Sequence, residues 1–303
     1  MAPAKKGTQK SSAKAPVTLA ACRTAIDAID DQLVSLLADR QRIVEQVGQL
    51  KQKEANGHSI IRPAREARMV RRIVEKTEGI FSANAIALIW RLIIANAINT
   101  EEKTAIVSYS PPGEEECYWM AREHFGPFSD NTRTPTRMEV LRAVEEKQAT
   151  IGVLPLLGTE MAHCWWADLV RENMGTRIFC RLPFVRRDPS SKLPVVAIGH
   201  VVPEDSGDDT SLWVITADET LPFETIGDAL TNAGVIFEEW EHCRVMAQPV
   251  MRYNLLSLPG FVIHSDSLTK ALAQVNKANP QPVPVSATCI GAFANPIQTK
   301  RSH

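Results

Sequence analysis

Three basic residues interrupt an apolar helical stripe near the start of the chain. Between Leu19 and Lys53, apolar residues recur every three or four positions, which is the spacing of one helix face. Arg40 falls on that stripe, Arg23 flanks it and Lys51 closes it. A buried cation is costly unless an anion meets it. The pattern therefore predicts a cavity for a small polyanion beside one long helix.

The same charges allow a purely structural interpretation. Arg40 and Lys51 could instead form structural ion pairs with Asp30, Asp39 or Glu45. In that case no ligand cavity would exist beside them.

The composition argues against several classes of protein. A net charge of -1 over 303 residues is not that of a general nucleic-acid binder. The six cysteines show no CxxC spacing and predict reduced, cytoplasmic thiols, and the neighbours His242 and Cys243 lack further ligands for a metal. No apolar run reaches the ~18 residues of a membrane span. Residues 1–16 carry four lysines and predict a disordered tail without a secretory signal.

The remaining chain divides into three segments. Residues 17–103 predict three helices: one to Lys53, one that starts at Pro63, and one after Ser82 that is apolar nearly all round and should be buried. Strand–helix alternation predicts an α/β layer for residues 104–209. Residues 210–295 predict a β-α-β-β-α-β unit, the ferredoxin-like arrangement.

The predicted elements of the last two segments alternate regularly, with a polar loop before residue 138 and a frayed end from Pro296. Strands are expected at 104–110, 150–156, 195–201, 211–217, 235–241, 253–258 and 284–292, and helices at 117–125, 138–147, 223–232 and 267–278.

The helical segment contains a set of spaced ionic and apolar positions: Arg-x-x-Ile-x-x-Ile-Asp at 23–30, Arg40, Lys51, Arg65-Glu66, Leu92-Ile93-Ile94 and Glu101. With these positions, residues 17–103 resemble the all-α chorismate mutase family. The resemblance implies an intertwined homodimer of three-helix protomers with shared active sites. It also implies the rearrangement of chorismate to prephenate without a cofactor, a metal or a covalent intermediate.

The resemblance also implies a role for each cation of the first helix. Arg23 would reach into the partner protomer's site and bind one substrate carboxylate. Arg40 would bind a carboxylate in its own protomer with bidentate geometry. Lys51 would donate to a carboxylate and to the ether oxygen.

The second and third helices would complete the site. Arg65 would support the charge balance and Glu66 would accept a hydrogen bond from the ring hydroxyl. Glu101 would face the ether oxygen and would help only when protonated, which predicts activity on the acid side of neutral; it could also be a merely polar helix end. Two positions depart from the family: Arg62 has no assigned role, and Ala97 lacks a hydroxyl that could contact a carboxylate.

The second half resembles prephenate dehydratase more weakly. Residues 151–160 echo one of its motifs, but its catalytic Thr-Arg-Phe is matched only by Thr210-Ser211-Leu212. No placed proton donor for the leaving hydroxyl is present, which implies a degenerate, non-catalytic region. Residues 211–292 resemble an ACT regulatory domain, in which Phe223 replaces the glycine that effector binding needs.

The expected fold class is therefore multidomain: an N-terminal all-α three-helix chorismate mutase dimer, an α/β dehydratase-like segment and an α+β ferredoxin-like ACT module. The expected function is that of a cytoplasmic chorismate mutase of aromatic amino acid (phenylalanine/tyrosine) biosynthesis, with chorismate as its small-molecule substrate and neither nucleic acid nor membrane as a partner. One alternative is a bifunctional chorismate mutase/prephenate dehydratase. The other is a non-catalytic regulatory protein that binds a partner enzyme of the pathway.

Overall fold

The computed structural model describes residues 18–53, 61–101, 103–158, 164–171, 175–186, 194–245 and 249–298. The predicted N-terminal tail lies outside these residues. In chain order the elements are α1 (Leu19–Lys53), α2 (Pro63–Lys76), α3 (Ala83–Glu101), β1 (Ala105–Tyr109), α4 (Glu116–Phe125), β2 (Asp130–Thr134), α5 (Arg137–Glu145), β3 (Ile151–Pro155), a 3-10 helix (Trp165–Val170), β4 (Arg177–Leu182), β5 (Val185–Arg186), β6 (Val195–Gly199), β7 (Asp209–Asp218), α6 (Phe223–Asn232), β8 (Glu238–Val245), β9 (Met251–Pro259), α7 (Asp266–Ala278), β10 (Ser286–Ala294) and β11 (Ile297–Gln298).

The chain forms two compact units, Met1–Ala55 and Asn56–His303. The described part of the first unit is α1, a helix of 35 residues and about 50 Å that contains no proline. The large apolar side chains of α1 are 36% to 68% exposed: Leu19, Ile26, Ile29, Leu33, Val34, Leu36, Leu37, Ile43, Val47 and Leu50. The predicted long helix and its apolar stripe are confirmed, and the stripe faces solvent in the single chain.

In the second unit, α2 and α3 pack on one another. Pro63 occupies the first turn of α2, where its missing N–H costs nothing. The buried faces meet through Ala67 and Val70 of α2 and Ala87 of α3, in a cluster that includes Phe184. Large apolar side chains of α3 nevertheless remain exposed, so the helix is not buried all round as its composition predicted.

α3 also qualifies as a membrane span by length and composition alone, although the sequence was expected to contain no such segment. A third of the qualifying window is buried inside the protein. Arg91, near its middle, is buried too.

The α/β layer has a parallel core covered on both faces. β1 pairs in parallel with β2 on one side and with β3 on the other. α4 packs against Ile106 and Ile151 on one face of these strands, while α5 packs against Val107 and Leu154 on the other. The strand–helix alternation of this segment therefore gives the predicted α/β arrangement.

The ferredoxin-like unit is also present. Its four strands are neighbours in the order β10-β7-β9-β8, all antiparallel. α6 and α7 lie on one face and bury Ile226, Leu230 and Leu272 against Ile215 and Leu256. The predicted β-α-β-β-α-β order is confirmed.

One sheet of nine strands runs through both segments, in the order β2-β1-β3-β6-β4-β10-β7-β9-β8. The segments meet where Gly291 of β10 lies opposite Ile178 of β4. Gly291 has a φ of +156° beside a bulge in β10, and a Cβ there would lie 2.1 Å from the Ile178 carbonyl oxygen. Glycine is therefore required for this close approach.

Two sequence predictions for this part were wrong. The polar stretch Asp130–Thr134 forms β2, an edge strand, although it was predicted as a loop. The chain beyond Pro296 is not frayed as far as Gln298, because Ile297–Gln298 pairs in parallel with Val185–Arg186. Both are short strands that form only through tertiary pairing.

Candidate functional site

α1 presents two of its three cations on one face. Arg40 and Lys51 are eleven residues apart, which places them within about 20° around the helix and about 16 Å along it. Arg40 is half-buried and Arg23 is exposed, whereas the Lys51 side chain lies outside the described residues. Asp39, one candidate partner of Arg40, pairs with Arg42 at 2.5 Å.

The two predicted residues at the start of α2 have different environments. Arg65 is exposed and Glu66 is buried. The Glu66 Oε2 accepts a hydrogen bond of 2.9 Å from the Arg91 Nη1, and its Oε1 accepts a longer one of 3.3 Å from the Arg62 amide. The helix start thus holds a carboxylate inside the protein, where a cation meets it.

Arg91 is the residue that the sequence analysis missed. It lies in the apolar run Trp90–Ile94 of α3 and is 7% exposed. Its guanidinium carbon is 4.9 Å from the centroid of the Phe184 ring, and its Nε has no hydrogen-bond partner in the described part of the chain. The sequence pattern could have identified it, because an arginine within an apolar helix needs a nearby anion. The same argument was applied to Arg40.

Small cavities of about 40 Å³ and about 10 Å³ flank Arg91. His124 lines both of them, and its Nε2 lies 3.5 Å from the Cys180 Sγ. Burial, with the Arg91 charge as a second cause, lowers the pKa of His124 well below its usual value. Burial raises the pKa of Cys180 to about 12. Both groups are therefore neutral near pH 7.

Two further arginines join α2 to the second half of the chain. Arg62, which had no assigned role, pairs with Glu204 through its Nε and Nη2 at 3.2 and 2.8 Å. Arg71 donates to the carbonyl and hydroxyl oxygens of Ser206 and to the carbonyls of Asp208 and Asn295, at 2.8 to 3.2 Å. The acidic loop before β7 thus holds α2 in place.

The end of α3 carries the last predicted positions. Ala97 is buried and Glu101, the final residue of the helix, is half-buried. Glu101 lies ten residues beyond Arg91, about 15 Å along the helix. The second unit therefore holds Arg65, Glu66 and Glu101, and the first holds the three cations of α1.

The positions that echo the dehydratase motifs make structural contacts. The Gly158 amide and the Trp166 indole donate to the two Glu241 oxygens, at 3.1 and 2.7 Å. Thr210 donates to the Asn295 side chain at 2.7 Å. These groups link the strands and loops of the second unit to one another.

The position expected for the ACT glycine is filled by an aromatic pair. Phe223 begins α6 and packs edge-on against Phe237, with 6.4 Å between ring centroids. The residues described contain no group of three or more His, Cys, Asp or Glu that could hold a metal ion.

A long helical region with spaced cations, followed by an α/β sheet, defines a multidomain protein of the predicted fold class. The family model of chorismate mutase type II matches residues 22–102. This N-terminal region is a chorismate mutase domain.

The names of two curated relatives combine chorismate mutase with a second activity. The chain is 32% identical over 141 residues to the bifunctional chorismate mutase/prephenate dehydratase of Aquifex aeolicus (strain VF5), covering 45% of this chain and 38% of the relative. It is 29% identical over 134 residues to the protein of the same name from Neisseria gonorrhoeae, covering 44% and 36%. The chain thus spans less than two fifths of the length of these relatives.

Solved structures resemble a larger part of the chain at low identity. A prephenate dehydratase from Streptococcus mutans has a TM-score of 0.45 and 14% identity, over 65% of this chain and 100% of its own. A prephenate dehydratase in complex with L-Phe from Arthrobacter aurescens has a TM-score of 0.44 and 10% identity, over 63% and 90%.

Proposed function

We propose that the protein catalyses the rearrangement of chorismate to prephenate in aromatic amino acid biosynthesis, in the cytoplasm and without a cofactor. The observation that supports this most directly is the set of ionic positions at 23, 40, 51, 65, 66 and 101, inside a segment that matches the chorismate mutase type II model. We propose the boundaries 17–103, 104–209 and 210–295 for the mutase, dehydratase-like and ACT-like parts.

The proposed mechanism is electrostatic. Chorismate carries two carboxylates and an ether oxygen that gains negative charge as the C–O bond breaks. Arg40 and the partner's Arg23 hold the carboxylates in the compact conformer, and Lys51 donates to the ether oxygen, where charge develops. Glu101 faces the same oxygen and helps only when it carries a proton.

We propose a homodimer as the active form. The apolar stripe of α1 exposes leucine and isoleucine side chains along about 50 Å, far more apolar surface than scattered single residues would present. Pairing two such helices would bury both stripes and bring Arg23 of each protomer to the other's site.

A second candidate is a bifunctional enzyme that also dehydrates prephenate. The names of the Aquifex and Neisseria relatives favour it, whereas the missing Thr-Arg-Phe arginine opposes it. A third is a non-catalytic regulatory partner of another enzyme in the pathway, for which the ferredoxin-like module is the supporting feature.

Incubation of the purified protein with chorismate, with prephenate and phenylpyruvate followed separately, distinguishes the three. Prephenate alone supports the mutase, both products support the bifunctional enzyme, and neither supports the regulatory protein. The double variant Arg40→Ala, Lys51→Ala should lose about a hundredfold or more in kcat/KM, since each removes a charge-assisted contact. Arg42→Ala, a matched exposed arginine on α1, should remain active; full turnover by the double variant contradicts the proposal.

The role of Glu101 has its own test. Glu101→Gln keeps a hydrogen-bond donor at all pH values, so this variant should hold its rate above neutral pH while the wild-type rate declines. Identical pH profiles for the two proteins would remove Glu101 from the mechanism.

A further inference from the structure

We propose that Arg91 is a positioning residue for Glu66, and that the dehydratase-like half of the chain fixes Arg91 through Phe184. The inference rests on the proposed mutase function, in which Glu66 accepts a hydrogen bond from the substrate's ring hydroxyl. It assigns the second half a part in substrate binding that does not depend on any dehydratase activity.

The two oxygens of Glu66 are held unequally. Arg91 donates to Oε2 at 2.9 Å, whereas the Arg62 amide reaches Oε1 only at 3.3 Å. An ionised carboxylate has about four acceptor positions, so Oε1 can take a further, stronger donor. Arg91 therefore fixes the carboxylate through one oxygen and leaves the other for a ligand hydroxyl.

Arg91 itself has little freedom to move. Its guanidinium lies between the Glu66 carboxylate and the face of the Phe184 ring, 4.9 Å from the ring centroid. Phe184 is 4% exposed and belongs to the connection between β4 and β5. The Arg71 guanidinium lies over the same ring at 5.8 Å. Two arginines of the helical region thus rest on one aromatic side chain of the second half.

The neighbouring titratable side chain does not replace Arg91 in this role. His124 lines the same cavities, and its buried ring is neutral near pH 7 because burial and the Arg91 charge lower its pKa. Arg91 is the described cation that meets Glu66. Since a buried carboxylate needs a cation beside it, loss of Arg91 should displace the Glu66 side chain.

Steady-state kinetics on chorismate with the full-length protein tests the proposal. Arg91→Gln should raise KM by about tenfold with a smaller change in kcat, because a ground-state contact weakens. Arg91→Lys should recover part of that loss. Phe184→Leu should raise KM by about threefold, although it alters no residue of α2 or α3.

A matched control separates loss of packing from loss of positioning. Phe293 is also buried, at 2% exposure, and also lies beneath an arginine, Arg181, at 5.9 Å. Phe293→Leu should leave KM unchanged. Equal KM values for Phe184→Leu and Phe293→Leu overturn the proposal. This comparison does not depend on Arg91→Gln, so it applies even if that variant fails to fold.

A double-variant comparison shows whether Arg91 acts through Glu66. In a Glu66→Gln background, Arg91→Gln should cause little further rise in KM. If the two effects multiply, Arg91 acts independently and the proposal is wrong. If the wild-type protein makes no prephenate, both the proposed function and the positioning role are refuted. If the wild type is active and these variants leave KM unchanged, the positioning role alone is refuted.

Discussion

Gly291→Ala tests the connection between the two parts of the nine-stranded sheet. An alanine Cβ at this position would lie 2.1 Å from the Ile178 carbonyl oxygen, 2.7 Å from its nitrogen and 2.8 Å from its carbonyl carbon. Even close carbon–oxygen contacts in sheets are about 3.3 Å or longer. All three neighbours are backbone atoms of β4, so no side chain can rotate away, and one strand must shift by about 1 Å.

The expected loss of stability has three parts. Overpacking against a rigid neighbour costs about 1–3 kcal/mol. The φ of +156° is one that L side chains rarely adopt, which costs a further 1–3 kcal/mol or so. A lost hydrogen bond between β10 and β4 costs about 1 kcal/mol. The sum of about 3–7 kcal/mol is a large fraction of the stability of a typical domain.

Urea denaturation followed by circular dichroism measures this loss. Gly207→Ala is the matched control, because Gly207 also has a positive φ, +91°, but a Cβ there would meet nothing within 4 Å. The control should therefore lose only the backbone part, about 1–3 kcal/mol. Equal losses in the two variants would refute the claim that close strand approach at Gly291 joins the sheet.

Three further tests concern the pH dependence of stability, the contacts of Arg71 and the apolar stripe of α1. Burial and a nearby guanidinium lower the pKa of His124 well below 6.5, so the unfolded chain binds a proton below pH 6.5 that the native state does not. The free energy of unfolding should then fall by up to about 2 kcal/mol from pH 7 to pH 5. In urea denaturation, His124→Gln should reduce this pH dependence, whereas the exposed His264→Gln should leave it unchanged. Arg71→Met removes four hydrogen bonds and should cost about 2–4 kcal/mol, whereas its exposed neighbour Arg72→Met should change stability by about 0.5 kcal/mol or less. Leu33→Asp in the α1 stripe should convert the proposed dimer to monomer in sedimentation velocity, and a surviving dimer would exclude this stripe as the interface.

Elements with a strong hydrophobic period were predictable from the sequence. α6 was expected at 223–232 and forms at Phe223–Asn232, because its apolar residues recur at helical spacing and Pro222 precedes its start. β2 was missed because Asp130–Thr134 is polar throughout and forms an edge strand by pairing with β1. Polar and apolar side chains do not alternate along a strand when neither of its faces is buried, so the sequence pattern does not predict such a strand.

The residues of the candidate site also differ in how well the sequence predicts them. The spacing of Arg40 and Lys51 on α1 is a property of one helix, so the sequence contains it. The Glu66–Arg91 pair joins residues 25 positions apart on different helices. Its formation depends on how α2 packs on α3 and on Phe184, which the pattern of either helix alone does not specify.

The contacts of α2 give the second half a structural reason to be retained even without dehydratase chemistry. Arg62 directly precedes α2, and Glu66 and Arg71 lie on this helix of the mutase domain. Arg62 and Arg71 bind the acidic loop that precedes β7. Arg91, which pairs with Glu66, rests on Phe184. If these contacts set the position of Glu66, the second half supports the proposed mutase reaction through packing and charge. Substitutions at Phe184 should then weaken that reaction.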